Sequence, residues 1–117
     1  MNIQHRTHPV LTDEALQMVA SRFRVLGDPN RLRILNRLMQ GEYSVQQLVE
    51  TTGLGQPNIS RHLAVLRTEG IVQRRSEGNH AFYSIQDPTV MQLCEIVCDR
   101  LLGKLLQNLG SLPNTSK

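Results

Sequence analysis

A mainly α chain with a small β-hairpin, laid out as a winged helix-turn-helix of five helices plus wing, is the fold class predicted by this 117-residue sequence. Three observations predict it. Residues 44–66 hold two short apolar-striped runs separated by a glycine turn, and an arginine-rich hairpin signal follows at once. Asp-Pro pairs at 28–29 and 87–88 open further helical runs on either side. A module of this layout presents one helix to the major groove of duplex DNA.

The first helix is expected from Thr12 to about Leu26, where Leu16, Val19, Phe23 and Leu26 recur at helical spacing behind an acidic first turn of Asp13 and Glu14. Asp28-Pro29 starts the second, a capping carboxylate followed by a residue whose missing N–H would have no partner there. That helix carries Leu32, Leu35, Leu38 and Met39 and closes at Gly41. The third opens at Ser44, with Gln47 placed to complete a capping box. It buries Val45, Leu48 and Val49 and stops at Thr51-Thr52-Gly53, beyond which Leu54 tucks under the turn.

Gln56-Pro57 opens the fourth helix, whose apolar stripe is Ile59, Leu63 and Leu66. With that stripe inward, Pro57, Ser60, Arg61 and Ala64 face out, and Gln56 and Asn58 sit in the exposed first turn. Gln and Asn pair bidentately with adenine, Arg with guanine, and Ser or free first-turn amides hold phosphate. A solvated polar face is the plainer explanation, and the hairpin that follows tips the balance toward DNA. Gly70 ends the helix, and two β-prone runs, Ile71 to Arg75 and Asn79 to Ile85, flank Ser76-Glu77-Gly78. The wing so formed carries Arg74, Arg75, Asn79 and His80, which reach phosphates beside the reading helix.

The last helix runs from Asp87-Pro88 to about Leu109, with Gly110 as its stop. Val90, Cys94, Val97, Cys98, Leu101, Leu105 and Leu109 line one side, while Leu93, Ile96, Leu102 and Leu106 widen the stripe beyond what one small core covers. Part of it is therefore expected to meet a second subunit. Gly103 in its midst costs about 1 kcal/mol relative to alanine, which a close helix crossing would explain.

Composition agrees with one domain, 11–110, between a loose N-terminal arm (1–10) and a loose C-terminal tail (111–117). The formal charge is +3, and eleven of the thirteen basic residues are arginine, nine of them between Arg22 and Arg75. Arginine's planar fork suits phosphate and guanine, so a polyanion partner is implied. No run reaches the eighteen or so apolar residues of a membrane span and no signal core opens the chain, which points to the cytoplasm. No phosphate loop or nucleophile motif occurs, so an enzyme is not expected.

The ordered series Phe23-Arg-Val-Leu-Gly-Asp-Pro-Asn-Arg-Leu-Arg-Ile-Leu, Ser44-Val-Gln-Gln-Leu, Leu54-Gly-Gln-Pro-Asn-Ile-Ser-Arg-His-Leu, Leu66-Arg-Thr-Glu-Gly-Ile-Val and Gly78-Asn-His-Ala-Phe-Tyr-Ser-Ile resembles the ArsR/SmtB family of small dimeric bacterial repressors. The resemblance spans residues 14–109. It implies that Gln56, Asn58, Ser60, Arg61 and His62 read DNA, with Ser44, Pro57 and the wing beside them, and that an effector releases a palindromic operator. It also implies a homodimer through the first and last helices, with Leu16, Val19, Val90, Val97, Leu101 and Leu105 in the interface. Gly55 departs from the family, which often has a capping Ser there. Two metal sites of the family are not expected. The thiolate site falls on Ser44 and Gln46, and the site on the last helix keeps only Asp87, with Thr89, Arg100 and Gly103 in the remaining places.

What remains for an inducer is Cys94 and Cys98, the only cysteines. Four apart on one helical face, their β-carbons stand about 5–6 Å apart, whereas a relaxed disulfide needs about 3.5–4.5 Å. Where two last helices meet near a twofold axis, four soft sulfurs can take a soft metal or metalloid ion, or oxidise between subunits. Packing as small buried hydrophobes is the equal alternative. Of the histidines, His5 and His8 lie in the arm, and His62 and His80 in the DNA-facing elements. Two other functions stay open: a winged-helix protein-interaction module and a constitutive DNA-binding regulator with no ligand.

Overall fold

The computed structural model describes residues 9–110. The expected tail, and all of the arm but Pro9 and Val10, lie outside the described residues, as do His5 and His8. In chain order the elements are α1 (Asp13–Leu26), α2 (Pro29–Leu38), β1 (Tyr43–Ser44), α3 (Val45–Thr52), α4 (Gln56–Thr68), β2 (Val72–Glu77), β3 (His80–Ile85) and α5 (Pro88–Gly110). All five helices and the hairpin stand where the sequence puts them.

Local chemistry explains most of the boundaries. Thr12 accepts from the Ala15 amide to start α1, and Asp28 Oδ1 accepts from the amides of Asn30 (2.8 Å) and Arg31 (3.1 Å) to start α2. The capping box of α3 is complete, Ser44 Oγ accepting from Gln47 N at 3.1 Å and Gln47 Oε1 from Ser44 N at 2.9 Å. Gly53, at φ 78°, ends that helix in the left-handed region that a Cβ disfavours. The end of α4 is a Schellman pair, in which Gly70 N–H reaches Arg67 O and Ile71 N–H reaches Leu66 O, both at 2.9 Å.

The sheet holds one strand more than the hairpin. Its order is β1-β3-β2, all antiparallel, and β1 registers Tyr43 opposite Tyr83 and Ser44 opposite Phe82. A strand of two residues has no periodicity to read, so its pairing is visible only in three dimensions. The hairpin tip also sits one to two residues beyond the expected turn. Glu77 pairs with His80 across Gly78-Asn79, and Gly78 has φ 61° while Asn79 does not have positive φ, the two-residue turn with glycine at its first central position.

The core is a block formed by α2, α3, α4 and the start of β2. Ile34, Leu35, Leu48, Ile59, Leu63, Leu66, Ile71 and Val72 are essentially sealed from solvent. From the outer helices only Leu26 and Val90 join this core. Val90, expected at a subunit interface, is therefore a core residue of its own chain: one turn into α5 it still lies over the block, before the helix departs. Leu32 is likewise exposed where Ile34 takes the inward place on α2.

Candidate nucleic-acid interface

Packing sets the outer face of α4. Because Ile59, Leu63 and Leu66 are sealed in the core, Gln56, Pro57, Asn58, Ser60, Arg61 and Ala64 are all exposed. Gly55 offers no side-chain cap and the first turn holds no carboxylate, so the free amides there present positive potential unopposed. Arg61 Nη2 donates to Asn58 Oδ1 at 2.6 Å, one turn apart. Two reading groups thus hold each other in place until bases compete for them. Ser44 is half-buried at the N-cap of α3 with its oxygen accepting from Gln47, which leaves its hydroxyl proton to donate.

His62 does not belong to that surface. It is 8 % exposed, the one buried polar side chain among the described residues, and its Nδ1 lies 3.3 Å from Arg31 Nη1 on α2. The expectation that it faces DNA is corrected by the helical register, which turns it toward α2 beside Leu63. Polarity alone suggested an outward position; the waiting guanidinium is what permits the inward one.

In the wing, adjacent arginines point to opposite faces. Arg75 donates to both carboxylate oxygens of Glu42 at 2.9 Å and to Glu77 at 3.1 Å, and its guanidinium lies 5.0 Å from the centre of the Phe82 ring. The hydrogen bonds to Glu42 and Glu77 hold Arg75 firmly protonated, and Arg75 in turn draws the Glu42 carboxyl below its usual range. Its charge is balanced twice over within the protein. Arg74 instead meets the Ser76 hydroxyl at 3.1 Å and no carboxylate among the described residues. With Asn79 and His80 exposed at the tip, Arg74 is the wing cation left for a phosphate.

The comparisons with known proteins agree with this geometry. A family model described as bacterial regulatory protein, arsR family, matches residues 28–74. A biofilm growth-associated repressor of Xylella fastidiosa is 36% identical over 91 residues, covering 74% of this chain and 80% of the relative. The chain belongs to the ArsR family. It is a DNA-binding transcriptional regulator and not an enzyme. A probable mercury resistance operon repressor of Streptomyces lividans is 39% identical over 87 residues, which is 74% of this chain and 64% of that one. Among solved structures, Rv0081 of Mycobacterium tuberculosis superposes with a TM-score of 0.72 at 33% identity, over 86% of this chain and all of that one.

In this ArsR-family chain the outer helices carry a second surface. Leu16, Met18, Val19 and Phe23 on α1 and Ile96, Val97, Leu101, Leu102, Leu105, Leu106 and Leu109 on α5 are all exposed. Between them and α2 runs an apolar groove of about 570 Å³ that includes Phe23, Leu32, Leu101 and both cysteines. Cys94 is half-buried and Cys98 exposed. Burial, helped by the neighbouring Cys98, pushes the Cys94 thiol up, so Cys98 is the readier of the two to react. Among the described residues of one protomer no group of three or more His, Cys, Asp or Glu is placed to hold a metal ion. No described helix is long and apolar enough to cross a membrane.

Proposed function

We propose that this repressor works as a homodimer on a palindromic operator, in the cytoplasm, with residues 11–110 as the functional domain. The observation that carries the reading is the outer face of α4, where Gln56, Pro57, Asn58, Ser60 and Arg61 stand clear of a helix sealed on its other side. Gln56, Asn58 and Arg61 read base edges in the major groove; Ser44, Ser60, Arg74, Asn79 and His80 hold phosphates beside it. A protein-interaction module would more naturally present an apolar or acidic face there.

Dimerisation rests on the exposed leucines of α1 and α5, since a monomer in water does not keep so continuous an apolar stretch bare. Leu16, Val19, Val97, Leu101 and Leu105 form the contact. Gly103 supports it: within the protomer nothing lies within 4 Å of a Cβ added there, so any close crossing that favours glycine involves another chain. Twofold pairing then sets two reading helices against half-sites one or more helical turns apart. The inducer is a soft metal or metalloid ion, or a thiol oxidant, acting at Cys94 and Cys98. Two thiols on one helical face support this, as does a relative named for mercury resistance.

A gel shift with the duplex that the protein selects from a random pool, against unselected duplex, tests the reading. Expected is tight binding of the selected duplex alone, and release on adding cadmium, arsenite or a thiol oxidant but not after Cys94→Ser. Equal binding of both duplexes would refute sequence reading. Full induction of the Cys94→Ser protein would reduce that cysteine to packing.

A further inference from the structure

His62 and Arg31 are a buried polar pair that DNA reading, as described so far, does not use. We propose that they are positioning residues for the reading face: a directional contact between α2 and α4 that fixes the rotation of α4 and forms only with a neutral imidazole. The inference rests on the reading of Ser60 and Arg61 as DNA contacts.

The argument starts from what packing leaves free. Ile59, Leu63 and Leu66 hold α4 through apolar contact, which has no direction and tolerates small rotations of a helix. The His62 contact has direction, with Nδ1 at 3.3 Å from Arg31 Nη1. At about 100° per residue, His62 lies about 160° around the helix from Ser60 and about 100° from Arg61. A turn of the helix about its axis therefore moves the back contact and the front contacts together.

Arg31 is itself held at three points. Its amide donates to Asp28 Oδ1 at 3.1 Å, its Nε donates to Val25 O at 2.7 Å, and its Nη1 meets the ring. Val25 O is among the last four carbonyls of α1, which lack helical partners. The guanidinium thus ties the end of α1 to the back of α4 from a seat on α2. No other side chain among the described residues hydrogen-bonds His62.

The chemistry of the contact fixes the protonation state. Arginine has no acceptor and stays charged, so Nδ1 must offer its lone pair and the ring proton sits on Nε2. A second ring proton would set N–H against N–H and cation against cation. Two charged groups face the ring, Arg31 in hydrogen-bonding contact and the Asp28 carboxylate through space. Asp28 favours the imidazolium, but its Oδ1 already accepts from two amides and it stands in solvent, so the Arg31 contact decides the sign.

The test is fluorescence anisotropy with the duplex the native protein selects and with a random duplex, from about pH 8 down to about pH 6, on native protein, H62Q and H62L. Gln keeps an acceptor but does not titrate; Leu fills the space without one. At the upper pH, H62Q binds the selected duplex within about threefold of native, while H62L loses about tenfold or more there and little on random duplex. On acidification the native affinity, divided by that of H62Q at each pH, falls several-fold; the ratio cancels the rising charge of His80. A flat ratio, or H62L indistinguishable from native on both duplexes, overturns the proposal, and if H62L does not fold by circular dichroism the ratio alone decides. Native protein that cannot tell selected from random duplex sinks the DNA reading itself, and this inference with it.

Discussion

The central block and the outer helix pair are built on opposite terms. From α2 to the start of β2 nearly every large apolar residue is buried by the same chain, and polar groups fill the outside. In α1 and α5, thirty-seven residues (14 and 23) contribute two side chains to that core and leave a row of leucines in solvent. The dimensions show the same split: the described residues extend 50 × 49 × 20 Å with a radius of gyration of 17.9 Å, against about 13 Å for a compact chain of about 100 residues. One region folds by satisfying itself. The other is shaped for a surface that a single chain does not supply.

Substitutions on the two sides of that division should behave differently. Leu63→Ala, inside the block, is expected to cost about 2–5 kcal/mol of unfolding free energy, read from the urea midpoint. Leu101→Glu, on the open side of α5, should leave the far-UV circular dichroism near native while sedimentation equilibrium shows half the mass. A Leu101→Glu protein that stays dimeric would move the subunit contact elsewhere.

Smaller effects sharpen the account of the block's outer face. Arg61→Ala should weaken the selected duplex by about 1–3 kcal/mol and relax base preference at one position, with little change on random duplex. Arg74→Ala should weaken all sequences alike and lower the slope of log affinity against log salt by about one. Arg75→Ala, a neighbour whose charge Glu42 and Glu77 already balance, should change that slope far less. Equal slopes for the two wing variants would mean that the Glu42 pairing opens on DNA.

The least effect is an acid one, and it touches both regions. Backbone N–H bonding at Asp28, chiefly from Arg31, and the Thr89 hydroxyl and amide at Asp87, hold these carboxyls below the usual range. A depressed folded pKa adds stability that is complete above the unfolded value of about 3.9 and is lost as pH falls through the folded one. Thermal melts should therefore show a decline only below about pH 4, shallower in Asp28→Asn and in Asp87→Asn.

Asp87 also shows how the two regions are joined. Arg22 on α1 donates to Asp87 at 3.0 Å, ahead of α5, and to the carbonyl of Glu69 at 2.9 Å, at the end of α4. A guanidinium at a helix C-terminus also meets its negative end favourably. Nothing in the spacing of Arg22, Glu69 and Asp87 announces this link, because it joins residues 47 and 65 apart in sequence.

By itself the sequence determined whatever depends on neighbours within about four residues. The caps at Thr12, Asp28 and Ser44, the glycine stops at Gly53 and Gly70, and the stripe of Ile59, Leu63 and Leu66 are local chemistry, and they fixed five helices, a hairpin and the polar face of α4. Tertiary structure alone decided what each side chain meets from afar. It turned His62 inward to Arg31, gave Arg75 to Glu42, drew Val90 into the core, added β1 and left α5 bare. Hydrogen bonds and apolar contacts between distant residues depend on distance in space, which helical periodicity does not encode.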